Sequence, residues 1–136
     1  MTSETGTPEE TERIAAELAR RLHPGDVVLI RGELGSGKTT FVRGAARALG
    51  VTGAVTSPTF TIGQVYAGDP SEVAHLDLYR LASLDGEDPA LLDDYLTPQR
   101  IGFVEWPGAG GGNFERVAAR VTLEHRGGDR RVVTVE

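Results

Sequence analysis

Apolar and polar positions along the chain repeat with two different periods, and the switches between them mark the elements. Ile14, Leu18 and Leu22 recur every fourth residue with Ala15 and Ala19 beside them and charged neighbours around them, which predicts a helix from Pro8 to Leu22. Its start is written as a capping box with a proline: Thr7 at the N-cap, Pro8 at the first helical position and Glu10 at the third. The run "HPG" breaks this helix. "DVVLI", Asp26 to Ile30, is then aliphatic and β-branched without alternation, the pattern of a strand buried on both faces. After a glycine-rich stretch, helical spacing returns from Thr39 to Leu49, with Phe41, Val42, Ala45, Ala46 and Leu49 on one face and Gly50 placed as a C-cap.

Beyond "TGAVTSPTF", a loop in which Pro58 holds Ser57 extended, the composition turns to β-formers. "FTIGQVY" and "EVAHLDLY" flank the turn-forming "AGDPS" and predict an antiparallel hairpin. A polar, acidic connection with a short helix around Pro89 to Tyr95 leads to "IGFVEW", Ile101 to Trp106, a second buried-strand candidate that ends on an acid. "PGAGGGN" reads as a glycine loop. "RVAARVTLEH" and "RRVVTVE" alternate with period two on either side of "RGGD", a second hairpin signal.

Composition narrows the class of protein. At 136 residues the chain has the length of one domain, and 39% hydrophobic with 25% charged residues is the balance of a globular protein. A net charge of -6 argues against a broad basic face for nucleic acid, so any such role is expected to run through a partner. There is no cysteine, hence no disulfide, thiolate metal site or cysteine nucleophile. No apolar run approaches the roughly 18 residues of a membrane span, and the N-terminal stretch lacks a basic region followed by an apolar one. A cytoplasmic protein without membrane contact is expected.

Every basic residue but one is arginine; the exception, Lys38, lies in Gly32-Glu33-Leu34-Gly35-Ser36-Gly37-Lys38-Thr39. This run satisfies the phosphate-binding pattern G-x-x-x-x-G-K-[ST] at each fixed position, between a predicted strand and a predicted helix. Gly35 and Gly37 allow backbone dihedrals closed to other residues, so that successive N–H groups converge on one anion. The following helix adds the positive end of its dipole. A lysine is a slender point charge able to reach between the β- and γ-phosphates, and Thr39 offers a hydroxyl to Mg²⁺. The expected nucleotide-contacting run is therefore Gly35, Ser36, Gly37, Lys38, Thr39 and Thr40.

Such a loop needs an acid at the end of another strand to hold the magnesium, and two candidates exist: Glu105 closing "IGFVE" and Asp77 closing "VAHLD". Thr59, in the loop before the first hairpin, is a candidate for reaching the γ-phosphate, set against the abundance of threonine in any loop. Trp106, the only tryptophan, reads by itself as a core or edge aromatic. His23, His75 and His125 have no metal-ligand spacing and read as incidental. The acidic "DGEDPALLDDYL" lacks the EF-hand pattern and reads as a solvated face. The guanine-reading [NT]-K-x-D signature needs a lysine, and the single lysine is already committed, so ATP is the expected nucleotide, with ADP as product.

"GELGSGKTTF", "SPTFT", "HLDLYRL" and "VEW", in that order, resemble the TsaE (formerly YjeE) family of P-loop ATPases of tRNA threonylcarbamoyladenosine synthesis, over about Thr7 to Trp106. The resemblance implies an α/β fold, a three-layer αβα P-loop NTPase sandwich with a mostly parallel sheet and added antiparallel hairpins. It implies Mg²⁺ ligation by Thr39 and Glu105, catalytic roles for Lys38, Asp77 and Glu105, a switch in "SPTFT" that includes Thr59, and a place for Trp106 beside the nucleotide. The partners it implies are TsaD and TsaB, with tRNA engaged only through that complex and ATP hydrolysis resetting it between rounds. The chain departs from the family after the tryptophan, where "WPGAGGGN" replaces forms such as "WPE", which weakens any carry-over to Gly108 to Asn113. The competing readings are a P-loop small-molecule kinase and a nucleotide-gated binding module with negligible turnover.

Overall fold

The computed structural model describes residues 1–33, 35–57, 62–78, 90–106 and 114–136. Thr59, Pro89 and the Gly108 to Asn113 loop lie outside the described residues. In chain order the elements are β1 (Thr2–Thr5), α1 (Pro8–Ala19), β2 (Val27–Gly32), α2 (Lys38–Ala48), β3 (Gly63–Tyr66), β4 (Val73–Asp77), α3 (Ala90–Asp93), β5 (Ile101–Glu105), β6 (Val117–His125) and β7 (Arg131–Val135).

The strands form one seven-stranded sheet in the order β1-β7-β6-β2-β5-β4-β3. Its centre is parallel, with β2 between β5 and β6 and β4 beyond β5. Antiparallel pairs close both edges, β3 on β4 at one side and β7 with β1 on β6 at the other. The "DVVLI" run is the central strand because all of Val27, Val28, Leu29 and Ile30 are buried, and a pleated strand can bury successive residues only if both faces are covered. Val28 and Ile30 enter the larger core with Phe41, Val42, Phe103 and Val121, whereas Val27 and Leu29 join Leu76, Leu78, Val104 and Phe114 on the opposite face. Fully burying side chains of this size contributes about 1.5–3 kcal/mol each.

The sandwich is asymmetric. Among the described residues, α1 and α2 cover one face, while the other carries the four-residue α3 with its Leu92, and Tyr95 and Leu96 just beyond it. The two long helices meet at Gly44, where a Cβ would collide with the Glu12 backbone, so only glycine permits this approach. Arg43 and Arg47 then flank Glu12 at 3.8 and 3.5 Å. No helix among the described residues is long and apolar enough to cross a membrane.

Two features differ from the sequence reading. Helix α1 ends at Ala19 rather than Leu22, because Arg21 and Leu22 bond to Leu18 and Ala19 in a tightened i to i+3 turn. Leu22 still packs against the core from that turn. Strand β1 was not anticipated: its four residues, Thr-Ser-Glu-Thr, carry no apolar pattern, and they are extended because their backbone pairs with β7.

Candidate nucleotide site

Parallel pairing brings three strand ends to one edge of the sheet. Ile30 of β2 is in register with Glu105 of β5, and Glu105 with Asp77 of β4, so both acids lie beside the point where β2 gives way to the glycine-rich loop. The crevice outside the carboxyl ends of parallel strands is where open α/β sheets bind ligands.

The loop turns on glycines. Gly35 and Gly37 have φ of 77° and 98°, backbone closed to most side chains, and Gly37 is the N-cap of α2. No side chain caps this helix, and its first turn contains no acid. Among the described residues nothing caps its first N–H groups, and these and the positive end of its dipole face the crevice. Ser36 is fully buried, and its hydroxyl is a buried polar atom with no hydrogen-bond partner among the described residues. This arrangement fits a phosphate, which accepts several N–H bonds at once.

Lys38, only 5% exposed, folds back over the loop and donates from Nζ to the carbonyls of Gly32 and Glu33 at 2.7 and 3.0 Å. The same ammonium lies 4.2 Å from the centroid of the Trp106 ring, a cation–π contact. Burial lowers the lysine's pKa from its ordinary value, against the opposing pull of Glu105 and Asp77. Trp106 is thus neither a core residue nor a plain edge aromatic. Its φ of 55° turns the chain immediately after β5, while its N–H extends the sheet by donating to the Ile30 carbonyl. Positive φ is uncommon for a bulky side chain.

Thr39, the second residue of α2, donates its hydroxyl to Oε2 of Glu105 at 3.2 Å. With its proton spent there, it accepts from the Ser57 hydroxyl at 2.7 Å, so the root of "SPTFT" is tied to the loop threonine. Glu105 is 2% exposed, and its Oε2 also accepts from Nε2 of the fully buried His75 at 2.5 Å. Nδ1 of His75 is 3.3 Å from the Tyr66 hydroxyl, which donates to the Thr56 carbonyl at 3.2 Å. Burial raises the Tyr66 pKa, partly opposed by the bond to Thr56, with the Glu105 charge raising it further. Polar contacts within hydrogen-bonding distance thus run from Thr56 through Tyr66, His75, Glu105 and Thr39 back to Ser57.

The reading of His75 as incidental is therefore corrected: it orients the buried carboxylate. The signal was present, since period-two alternation puts Val73, His75 and Asp77 on one face of β4 and Glu105 on the same face of β5. An ionisable group inside an apolar strand, facing an acid, needed a partner. Thr40 follows Thr39 in the first turn of α2, half-buried. Lys38, Thr39, Glu105 and Trp106 are brought together by direct contact, and Asp77 stands beside Glu105 in the adjoining strand.

The donor set also fits magnesium. Among the described residues no cluster of three or more His, Cys, Asp or Glu side chains forms a cage. Mg²⁺ does not need one, since it keeps several waters and binds through one or two protein oxygens plus substrate phosphates. Thr39 and Glu105 would hold it.

A strand, a glycine loop carrying a buried lysine, and a helix whose N-terminus lies open at the carboxyl edge of a parallel sheet define a P-loop NTPase-like protein. The comparisons make this specific. The family model for the threonylcarbamoyl adenosine biosynthesis protein TsaE matches residues 5–133. The tRNA threonylcarbamoyladenosine biosynthesis protein TsaE of Bacillus subtilis is 38% identical over 130 residues, covering 96% of this chain and 81% of that protein. That of Streptomyces coelicolor is 47% identical over 96 residues, 68% of this chain and 64% of the relative. The crystal structure of Bacillus subtilis YdiB superposes with a TM-score of 0.79 at 32% identity, over 99% of this chain and 83% of that one. The chain belongs to the TsaE family, which takes part in tRNA threonylcarbamoyladenosine biosynthesis.

Proposed function

We propose that this protein is a Mg²⁺-dependent ATPase that acts with TsaD and TsaB, its hydrolysis resetting the modifying complex between rounds. The observation that carries the nucleotide reading is the Lys38–Thr39–Glu105 arrangement at the mouth of the glycine loop, with the loop threonine 3.2 Å from a buried, histidine-held carboxylate. The partners are proposed from the family resemblance.

In this reading the loop amides and the open N-terminus of α2 bind the phosphate chain, and Lys38 exchanges its carbonyl partners for phosphate oxygens. Magnesium, when bound, neutralises charge developing between the β- and γ-phosphates. His75 fixes the Glu105 carboxylate, and Glu105 in turn fixes the Thr39 hydroxyl, so the two oxygens proposed for the metal are preorganised. Asp77, on the same edge, is placed to accept a hydrogen bond from an attacking water. Trp106 shields the lysine from solvent on one side, which strengthens its interaction with an anion.

The test is to mix the purified chain with TsaB and TsaD and follow ATP hydrolysis and tRNA modification together. Stimulated hydrolysis with sustained modification is expected. Transfer of the γ-phosphate to a metabolite without response to the partners would favour the kinase alternative. Partner affinity that changes between ATP and ADP without turnover would favour the binding module.

A further inference from the structure

Arg131 opens β7, and its guanidinium reaches across to the glycine-rich loop. Nε donates to the Ser36 carbonyl at 3.0 Å and one terminal nitrogen to the Gly35 carbonyl at 2.9 Å. The other terminal nitrogen donates to the carbonyls of Gly128 and Arg130 at 2.7 and 2.9 Å, in the turn between β6 and β7. One side chain thus joins two segments that are 95 residues apart in sequence. Its use differs from that of other arginines in the chain. Arg43, Arg47, Arg100, Arg116 and Arg126 each face a carboxylate, whereas the bonds of Arg131 go to main-chain oxygens.

The peptide unit explains why this matters for the site. In a loop whose N–H groups turn toward an anion, the carbonyls turn away, and they need donors. The Ser36 carbonyl belongs to the peptide whose other end is the N–H of Gly37, the uncapped start of α2. A charged donor on that oxygen polarises the peptide and strengthens its N–H toward an acceptor. Two adjacent carbonyls held by one planar fork also fix φ and ψ of Ser36, the residue between two conformationally loose glycines.

We propose that Arg131 is a positioning residue of the phosphate-binding loop, holding the Gly35 and Ser36 peptides in their anion-binding geometry from the far end of the chain. The inference rests on the nucleotide reading above. It requires the fork as well as the charge, so lysine at this position is a poor substitute.

The experiment uses the full chain and the variants Arg131→Lys and Arg131→Ala. ADP binding is measured by calorimetry with and without Mg²⁺, alongside steady-state ATP hydrolysis and amide exchange of the ligand-free proteins. Both variants should weaken ADP about tenfold. KM for ATP should rise by a similar factor with kcat held within about twofold, the pattern of lost binding rather than lost chemistry. The Ser36 amide, which donates to the Glu33 carbonyl at 3.0 Å and shares its peptide with the Gly35 carbonyl, should exchange at least about tenfold faster while the amides of β2 and β5 stay protected. If Arg131→Ala fails to fold, Arg131→Lys supplies the same three readings. ADP affinity within twofold of wild type, recovery by lysine, or unchanged exchange at Ser36 overturns the proposal. Wild-type protein that does not bind ADP overturns the nucleotide reading instead, and the exchange at Ser36 still decides whether Arg131 holds the loop.

Discussion

The two long helices lie side by side on one face of the sheet, yet their N-termini are finished in opposite ways. Helix α1 is closed by its own residues: Thr7 is extended, its hydroxyl accepts from the Glu10 N–H at 3.2 Å, and Glu9 and Glu10 place negative charge in the first turn. Helix α2 starts from a left-handed glycine with no side-chain cap, no acid and a lysine as its first residue. By the rules of isolated helices α2 is poorly begun, since its dipole and N–H groups are uncompensated. It is held by packing, with Phe41, Val42, Ala45 and Ala46 fully buried, and by Gly44, which lets α1 come close. In the proposed function, stability and ligand binding therefore fall on different parts of one helix: its side carries the fold, and its end binds the phosphate.

The sharpest way to break this contrast is Lys38→Ala. Loss of ADP affinity of about a hundredfold or more is expected by calorimetry, from charged hydrogen bonds of about 1.5–3 kcal/mol each. The thermal midpoint without ligand should not fall, because a buried ammonium costs desolvation that alanine does not. Next, Thr39→Ala and Glu105→Gln should lower Mg²⁺-dependent hydrolysis about 10²-fold or more while ADP binding without metal changes by less than about threefold. In that series His75→Ala should raise the Mg²⁺ needed for half-maximal turnover about tenfold, read from a metal titration. A smaller effect comes from the ligand itself: ADP at about 100 times its dissociation constant should stabilise the protein by about 2.7 kcal/mol in denaturant unfolding. The smallest is Thr7→Ala at the closed end, expected to cost about 1 kcal/mol of stability and leave ADP affinity unchanged. A change in ADP affinity there would show that the two helix ends are not independent.

How much of the site was legible differs from residue to residue. The loop from Gly32 to Thr39 was readable because its chemistry is contiguous: glycines, lysine and threonine act at fixed spacing within one turn. Glu105 and Asp77 were found as strand-ending acids, but spacing could not say which of them meets Thr39. Parallel register and the α2 start decide that, giving the bond to Glu105. The inward position of His75 was legible from the alternation of β4, but its partner Glu105 lies 30 residues away and only the register of β4 on β5 brings the two to one face. The contact of Tyr66 with His75, 9 residues on, likewise depends on the pairing of β3 with β4. Arg131 was missed for the same reason, and it looked like one more charge in a generic hairpin.

By itself the sequence determined what local physics can carry: the capped start of α1, the doubly buried strand β2, the glycine loop, the two hairpins and the identity of the one lysine. Those follow from dihedral preference, periodicity and the chemistry of neighbouring side chains. Tertiary structure decided the order of the strands, the extension of polar Thr2–Thr5 along β7, the hydrogen-bonded path from Tyr66 through His75 to Glu105 and Thr39, and the grip of Arg131 on the loop. Each of these joins groups that are distant in the chain, and their contacts acquire a free energy only once the sheet has brought them within hydrogen-bonding distance.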